Sequence, residues 1–341
     1  MEIVRKTLKE ARLGAPRTHA NLAVFPLWTV APADRPYMTL DEALTSGKVR
    51  VTEVSQHGSV PDLCLVNESD LPVLLLDGEE LRGAKQDRVL NLTILAPAGK
   101  TIVVPVSCVE SGRWHHRSAA FSSSDHVLYA RIRAAKSADI TGSLGRSGRA
   151  QSDQGAVWAS IDEKMARLGT PSPTSAMEDI YQARRHGING FVAALRPEPG
   201  QTGAVFALNG SVAGLEVFDH PDAFAKMLPK LVRSWALDAI EDSPGDVAAP
   251  PLEAAHAFLD VVAEADMRSF TAVGQGIDVR LSAPHVSGGA VVDGGRVVHL
   301  NAFRSAAKRE GGMGPSARPS GEDRAPRDGW IVRASRRLWR R

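Results

Sequence analysis

The sequence predicts an α+β fold, with a β-rich N-terminal part that carries a hairpin and with central and C-terminal helices packed on a mixed or antiparallel sheet. Three observations carry this reading. Short β-branched or apolar runs fill the first third of the chain, the middle third changes to helical spacing, and strand-like runs return afterwards. Sheet and helix therefore alternate in blocks, unlike the regular strand-helix repeat of a doubly wound fold.

Ala23 to Leu27 and Val49 to Val54 read as strands, and Val73 to Leu76 as another that stops at Asp77-Gly78. Val89 to Leu95 and Thr101 to Cys108 flank the turn Pro97-Ala98-Gly99-Lys100, which predicts a hairpin. Its second strand puts Ile102, Val104, Val106 and Cys108 on one face, and Pro105, which has no N–H, predicts an edge or a bulge. Thr141 to Gly155, rich in Gly, Ser and Arg, predicts a mobile loop. Val157, Ile161, Met165 and Leu168 then recur at helical spacing and end at Gly169-Thr170-Pro171. Ser175 and Glu178 have capping-box spacing and open a second helix to about Arg185. Strands follow at Gly190 to Leu195 and Gly203 to Leu208. Phe224, Met227, Leu228, Leu231 and Trp235 form a core-facing helical stripe, in which Pro229 predicts a kink or break. A helix from Pro251 to about Met267 and strands near Asp278 to Leu281 and Val297 to Leu300 complete the pattern.

A chain of 341 residues, 43% of them apolar, can bury a large core. We read residues 1–303 as one domain, β-rich over 20–114 and mixed over 115–303. Its apolar runs are too short for a membrane span, and Met1 to Lys6 lead into no signal-peptide stretch. A cytoplasmic location is therefore expected. Cys64 and Cys108 are too few for a disulfide framework and read as buried thiols, Cys108 through its place on the apolar face of its strand.

The formal charge of +2 conceals an asymmetry: residues 304–341 carry 11 basic and 4 acidic side chains, about +7, which leaves about −5 for the rest. Gly311 to Arg327 has too few apolar residues to repay its ordering entropy, so a disordered basic tail is expected. It reads as a solubilising appendage or as a weak contact for anions or nucleic acid through its arginines, Trp330 and Trp339.

Function points to one segment. Asp77 to Arg88 packs charged and polar residues between two apolar strands, and the following strand ends in Ser107-Cys108-Val109-Glu110-Ser111-Gly112-Arg113-Trp114. If these ends converge, Glu79, Glu80 and Glu110 are the candidate catalytic acids or bases. Arg82, Gln86, Arg88, Arg113 and Trp114 are the candidate ligand contacts, with arginine forks for phosphate or carboxylate and an indole for a base. The same density of opposite charges also suits a structural salt-bridge network, and site and scaffold stay open at this point. No metal site and no cofactor is expected: His115 and His116 are adjacent, at the wrong spacing to share a face. Gly142 to Gly145 and Gly274 to Gly276 complete no phosphate loop, and there is no Gly-x-Ser-x-Gly elbow.

Several blocks together resemble the ADP-ribosylglycohydrolase and rhodanese-phosphatase-superfamily-associated protein domain. They are Leu76 to Leu81, Gly83 to Gln86 with Arg88, Pro97 to Gly99, Ser107 to Glu110 and Gly112 to Trp114. Gln154 to Trp158, Ser172 to Met177, Gly214 to Asp219, Leu237 to Ala239, and Val298 to Leu300 with Phe303 are similar to its later blocks. The resemblance spans roughly residues 10 to 303. It implies an association with NAD or ADP-ribose processing and an ADP-ribose-like nucleotide ligand, and it brings no reaction or catalytic residue to these positions. Two function classes follow: an enzyme or sensor for such a ligand, or a non-catalytic protein-interaction domain that docks through residues 77–114. A ligand site needs a concave pocket, whereas a docking face can be flat.

Overall fold

Along the strand Asp62–Asn67 every second side chain, Leu63, Leu65 and Asn67, is buried, and Val49 and Val51 alternate in the same way along Val49–Glu53. A period of two needs an apolar space on one side of the strands. In the computed structural model, which describes residues 1–242 and 245–305, that space is the inside of a barrel. Lys100–Cys108, Asp62–Asn67, Val49–Glu53, Phe121–Val127, Glu79–Gly83 and Arg88–Leu90 close on one another in that order, antiparallel throughout. Val51, Leu63, Leu65, Leu81, Leu90, Val104, Val106 and Phe121 share one core cluster, so a barrel of this size is filled by its own side chains.

A second, nine-stranded antiparallel sheet gathers strands from both ends of the chain, from Arg12–Leu13 and Leu22–Trp28 to Arg296–Arg304. On one face Phe206, Phe218 and Phe303 pack with Phe224 and Trp235 of the helix Pro221–Asp242 and with the helix Met177–Ala194. On the other, Phe25, Val205 and Leu300 pack with Leu8 of Glu2–Lys9 and Phe258 of Leu252–Ala263. A small sheet of Ile94–Ala96, Val73–Leu75 and Met38–Thr39 contains a parallel pair, Met38–Thr39 with Val73–Leu75. The class is α+β, and no helix among the described residues is long and apolar enough to cross a membrane. The basic tail expected from residue 304 lies, from 306 onward, outside the described residues.

Several local expectations are corrected. Thr141 to Gly155 is a loop only over 148–153: 141–147 belong to the helix Ala130–Ser147, which ends at Gly148 in the left-handed conformation (φ 68°), and 154–155 open the helix Gln154–Leu168. The buried face of Ala130–Ser147 mixes Ile132, Ile140 and Leu144 with Arg133, Lys136 and Ser137, so a count of apolar residues misses its period. Gly190 to Leu195 is the end of the helix Met177–Ala194, because a short apolar run cannot by itself distinguish strand from helix. That helix has Ala176 at its N-cap with no side-chain cap; Ser172, not Ser175, receives the Ala176 N–H.

The hairpin is only half present. Arg88–Leu90 pairs with Val106–Cys108, but Ile94–Ala96 leaves to pair with Val73–Leu75, and Lys100–Pro105 pairs with Asp62–Asn67. Pro105 is at neither an edge nor a bulge. It sits where its strand exchanges one partner for the other, a point at which a missing donor costs no ladder bond. The helix Pro221–Asp242 continues through Pro229 without a break.

Candidate functional site

Asp77 and Gly78 form the turn between Val73–Leu75 and Glu79–Gly83, with Gly78 at φ 78° against the Arg133 side chain. A β-carbon there would meet that side chain at 3.0 Å in a conformation that L residues rarely adopt. Asp77 is buried and accepts from Lys136 Nζ at 2.5 Å and from Asn301 Nδ2 at 3.2 Å. Next to it Arg133 donates to Glu216 at 2.6 Å, the other Glu216 oxygen lies 2.8 Å from His299 Nε2, and His299 Nδ1 lies 2.9 Å from Thr93 Oγ1. This ionic chain ties the start of the charged segment to the large sheet. Burial opposes ionisation of Asp77, but Lys136 and Arg133 outweigh it and hold the carboxyl below its usual range.

The three candidate acids do not face one another. Glu79 is buried and turned toward the helix Pro221–Asp242, where Lys230 donates to it at 2.7 Å and to Asp41 at 2.8 Å. Glu110 is buried against Arg113, with Nη2 2.6 Å from Oε2, and also accepts from the Asp87 N–H and the Thr174 hydroxyl. Arg113 uses its remaining donors on Asp87 Oδ1 and on the carbonyls of Ala84 and His115. The loop at 83–88 and the strand end at 110–114 are thus joined through a buried clamp, with Arg113 at its centre.

Glu80 meets two residues that the sequence did not place in the site. On the barrel strand Phe121–Val127 and the helix Met177–Ala194, His126 and Glu178 place their ligand atoms, with that of Glu80, all within 4.8 Å of one another, and all three residues are buried. Ser124 donates to Glu80 Oε2 at 2.7 Å, and Gln182 and Arg82 hold Glu178 Oε1 at 2.6 and 3.1 Å. The imidazole is stacked on Tyr181 with 4.1 Å between ring centroids. His126 Nε2 lies 3.1 Å from Glu178 Oε2 without hydrogen-bond alignment, and Glu80 Oε1 and His126 Nδ1 also lack a partner among the described residues. Burial first, then the charges of Glu178 and Asp87, push the Glu80 carboxyl up to about 8.

Such an acid favours the folded state most where it is protonated in both states, so its contribution is complete below the unfolded value of about 4.5 and is lost as pH rises through about 8. Glu80→Gln, which cannot ionise, is therefore expected to raise the melting temperature of chelator-treated protein at about pH 9 and to leave it little changed at about pH 4.5. Melting curves across that range check this, and a uniform offset at every pH would contradict it.

Arg88, Gln86 and Trp114 form another group. Arg88 lies opposite Leu81 and Cys108 on the neighbouring strands, so its side chain caps the apolar barrel interior at one end. It is 0% exposed, and Nη1 donates to Gln86 Oε1 at 3.0 Å, while Nε and Nη2 have no partner among the described residues. The Trp114 ring, 46% exposed, lies 5.6 Å from the guanidinium and 5.4 Å from Lys85 Nζ. Cys108 Sγ is 3.1 Å from Gln86 Oε1, and burial pushes its thiol up to about 11, leaving it a neutral packing group at neutral pH.

Of the eight expected site residues, the structure therefore brings Glu80 and Arg82 to one cluster, Gln86, Arg88 and Trp114 to another, and Glu110 and Arg113 to the clamp, with Glu79 apart. His126 carried no local signal and Glu178 was read only for its capping-box spacing, since they lie on separate elements and only the fold joins them to Glu80.

A family model for the ARPP-1 domain, described as the ARG and Rhodanese-Phosphatase-superfamily-associated Protein domain, matches residues 10–303. The chain belongs to the ARPP-1 family. The matched residues contain the entire barrel and every side chain of both clusters and the clamp, so these features lie inside the ARPP-1 domain. Comparison with curated proteins and with solved structures gave no match.

Proposed function

We propose that this ARPP-1 domain binds an anionic, ADP-ribose-like nucleotide at the barrel end beneath Trp114. The observation that carries the reading is Arg88. A fully buried guanidinium with two unused donors costs several kcal/mol unless something accepts from them, and a phosphate or carboxylate is the natural bidentate partner. Trp114 above it offers a half-exposed ring for a base, Lys85 a second cation, and Gln86 a polar side chain already turned toward the guanidinium. The mouth of a barrel is also a favoured place for such sites. The ARG of the family name, read as ADP-ribosylglycohydrolase, supports ADP-ribose as the ligand class. In this reading Trp114 yields as the phosphate reaches Arg88.

The test is a titration with ADP-ribose, NAD and ADP, followed by melting and by calorimetry. A ligand at 100 times its dissociation constant adds about 2.7 kcal/mol of stability. Trp114→Ala is expected to keep the fold and weaken binding roughly tenfold, the loss of one stacked base. Absence of any shift in the wild-type protein with all three compounds would remove this reading and leave the docking-domain alternative.

A further inference from the structure

We propose that Glu80, His126 and Glu178 bind one divalent transition-metal ion, of the zinc or manganese type. Three separate elements, the barrel strands Glu79–Gly83 and Phe121–Val127 and the helix Met177–Ala194, deliver the donors to one point. Each carboxylate is held by one oxygen and left unengaged at the other. Ser124 fixes Glu80 through Oε2, while Oε1 is buried without a partner; Gln182 and Arg82 fix Glu178 through Oε1, while Oε2 has no aligned donor. That division, in which outer groups orient the ligands and inner atoms stay vacant, is how metal sites are assembled.

The imidazole fits the same pattern. It is held in place by the Tyr181 stack, and Ser124 Oγ accepts from the His126 main-chain N–H at 3.0 Å, so one serine steadies both Glu80 and the histidine strand. Nε2 stands 3.1 Å from Glu178 Oε2, a separation that two donors of one coordination sphere can share, yet no N–H points at that oxygen. The carboxylates of Glu80 and Glu178 both face the ring, and among the described residues the cation in direct contact with them is Arg82, which lies on the exposed side of Glu178. A bound cation would offset the repulsion between these two buried carboxylates. One nitrogen and two carboxylate oxygens suit zinc, manganese or ferrous iron, whereas magnesium and calcium prefer oxygen alone. Three protein ligands also leave coordination positions for water or a substrate oxygen.

The experiment uses the full chain, stripped with a chelator and titrated with zinc chloride, manganese chloride and, as a control, magnesium chloride, by calorimetry and by metal analysis after gel filtration. One zinc or manganese ion per chain is expected, with little or no magnesium. His126→Ala and Glu80→Gln should each weaken binding by at least about a hundredfold, and Ser124→Ala, which only loosens the orientation, by roughly tenfold. His115→Ala combined with His116→Ala, on the exposed loop, should leave binding unchanged. Circular dichroism accompanies every variant, and Glu178→Gln supplies a near-isosteric substitution should the alanine variant misfold. No stoichiometric binding, binding unaltered in the Glu80 and Glu178 variants, or binding abolished by the His115 and His116 substitutions would each overturn the proposal. Because nucleotide binding is read at Arg88 and Trp114, either result can fail without the other.

Discussion

Replacing Lys136 with methionine is expected to lower the unfolding free energy by about 3–5 kcal/mol, the range for removing one partner of a buried ion pair. The ammonium has no free donor: it reaches Asp77 Oδ1 at 2.5 Å and the carbonyls of Leu90 and Asn91 at 2.7 and 2.9 Å. The Asn91 carbonyl lies where the chain leaves the barrel strand Arg88–Leu90 for the small sheet, so no β-ladder is there to satisfy it, whereas the Leu90 carbonyl also accepts from the Gly78 N–H at 2.9 Å. Methionine fills much the same volume but strands the Asn91 carbonyl, takes one of two donors from the Leu90 carbonyl, and leaves Asp77 facing Arg133 at 3.8 Å and Asn301. Adding Asp77→Asn should recover part of the loss, because a buried charge disappears while the Asn91 carbonyl stays unpaired. Urea denaturation measures both. A fall in midpoint at constant slope gives the effect, and a loss under about 1 kcal/mol would show that water replaces the ammonium.

The same pair sets an acid dependence. The Asp77 carboxyl is held below its ordinary value in the folded protein, so its contribution is present above the unfolded value of about 3.9 and is lost as pH falls through the lower folded value. The Glu80 contribution runs the other way and is lost toward alkaline pH. Stability at neutral pH therefore retains Asp77 and has already surrendered part of Glu80.

What the sequence disclosed and what it withheld follow from where apolar groups were free to mark a face. The helix Gln154–Leu168 was legible because Val157, Ile161, Met165 and Leu168 all enter one hydrocarbon core. The helix Ala130–Ser147 was not, because its inward face spends Arg133 and Lys136 on Glu216 and Asp77, and buried charges read as solvent-facing in a pattern of apolar residues. The hairpin was half legible for a different reason: neighbours along the chain are the natural pairing, but Asp62–Asn67 competes for Lys100–Pro105 from much earlier in the sequence. Charge density singled out residues 77–114, many of whose charged side chains are buried, yet could not say which acid faces which partner. Glu79 and Glu80 are adjacent on one strand and so point to opposite sides, one to Lys230 and the other to His126 and Glu178.

Truncating Arg113 to alanine is expected to cost about 3–5 kcal/mol, whereas the same change at Arg82 should cost less than about 1 kcal/mol. The contrast rests on solvent. Arg113 is fully enclosed, and its Nε and Nη2 grip Glu110 at 2.9 and 2.6 Å, its Nη1 takes the Ala84 carbonyl at 2.7 Å, and Nη2 also reaches Asp87 at 3.1 Å. Removing it leaves Glu110 and Asp87 buried at close quarters, and the other cation within 4 Å of Glu110 among the described residues, Arg117, is half-exposed and 3.8 Å away. Arg82 has 41% of its side chain in water, where its ion pair with Glu178 is screened. Lysine cannot rescue position 113, because an ammonium lacks the planar fork that spans a carboxylate and a carbonyl at once. Arg113→Ala with Glu110→Gln should regain part of the loss by removing the orphaned charge. Equilibrium denaturation beside an ADP-ribose titration decides between scaffold and ligand contact. A variant that melts early, with binding per folded molecule unchanged, establishes the clamp. If Arg113→Ala keeps its stability and loses only the nucleotide, the clamp reading is wrong and Arg113 belongs with Arg88 as a ligand residue.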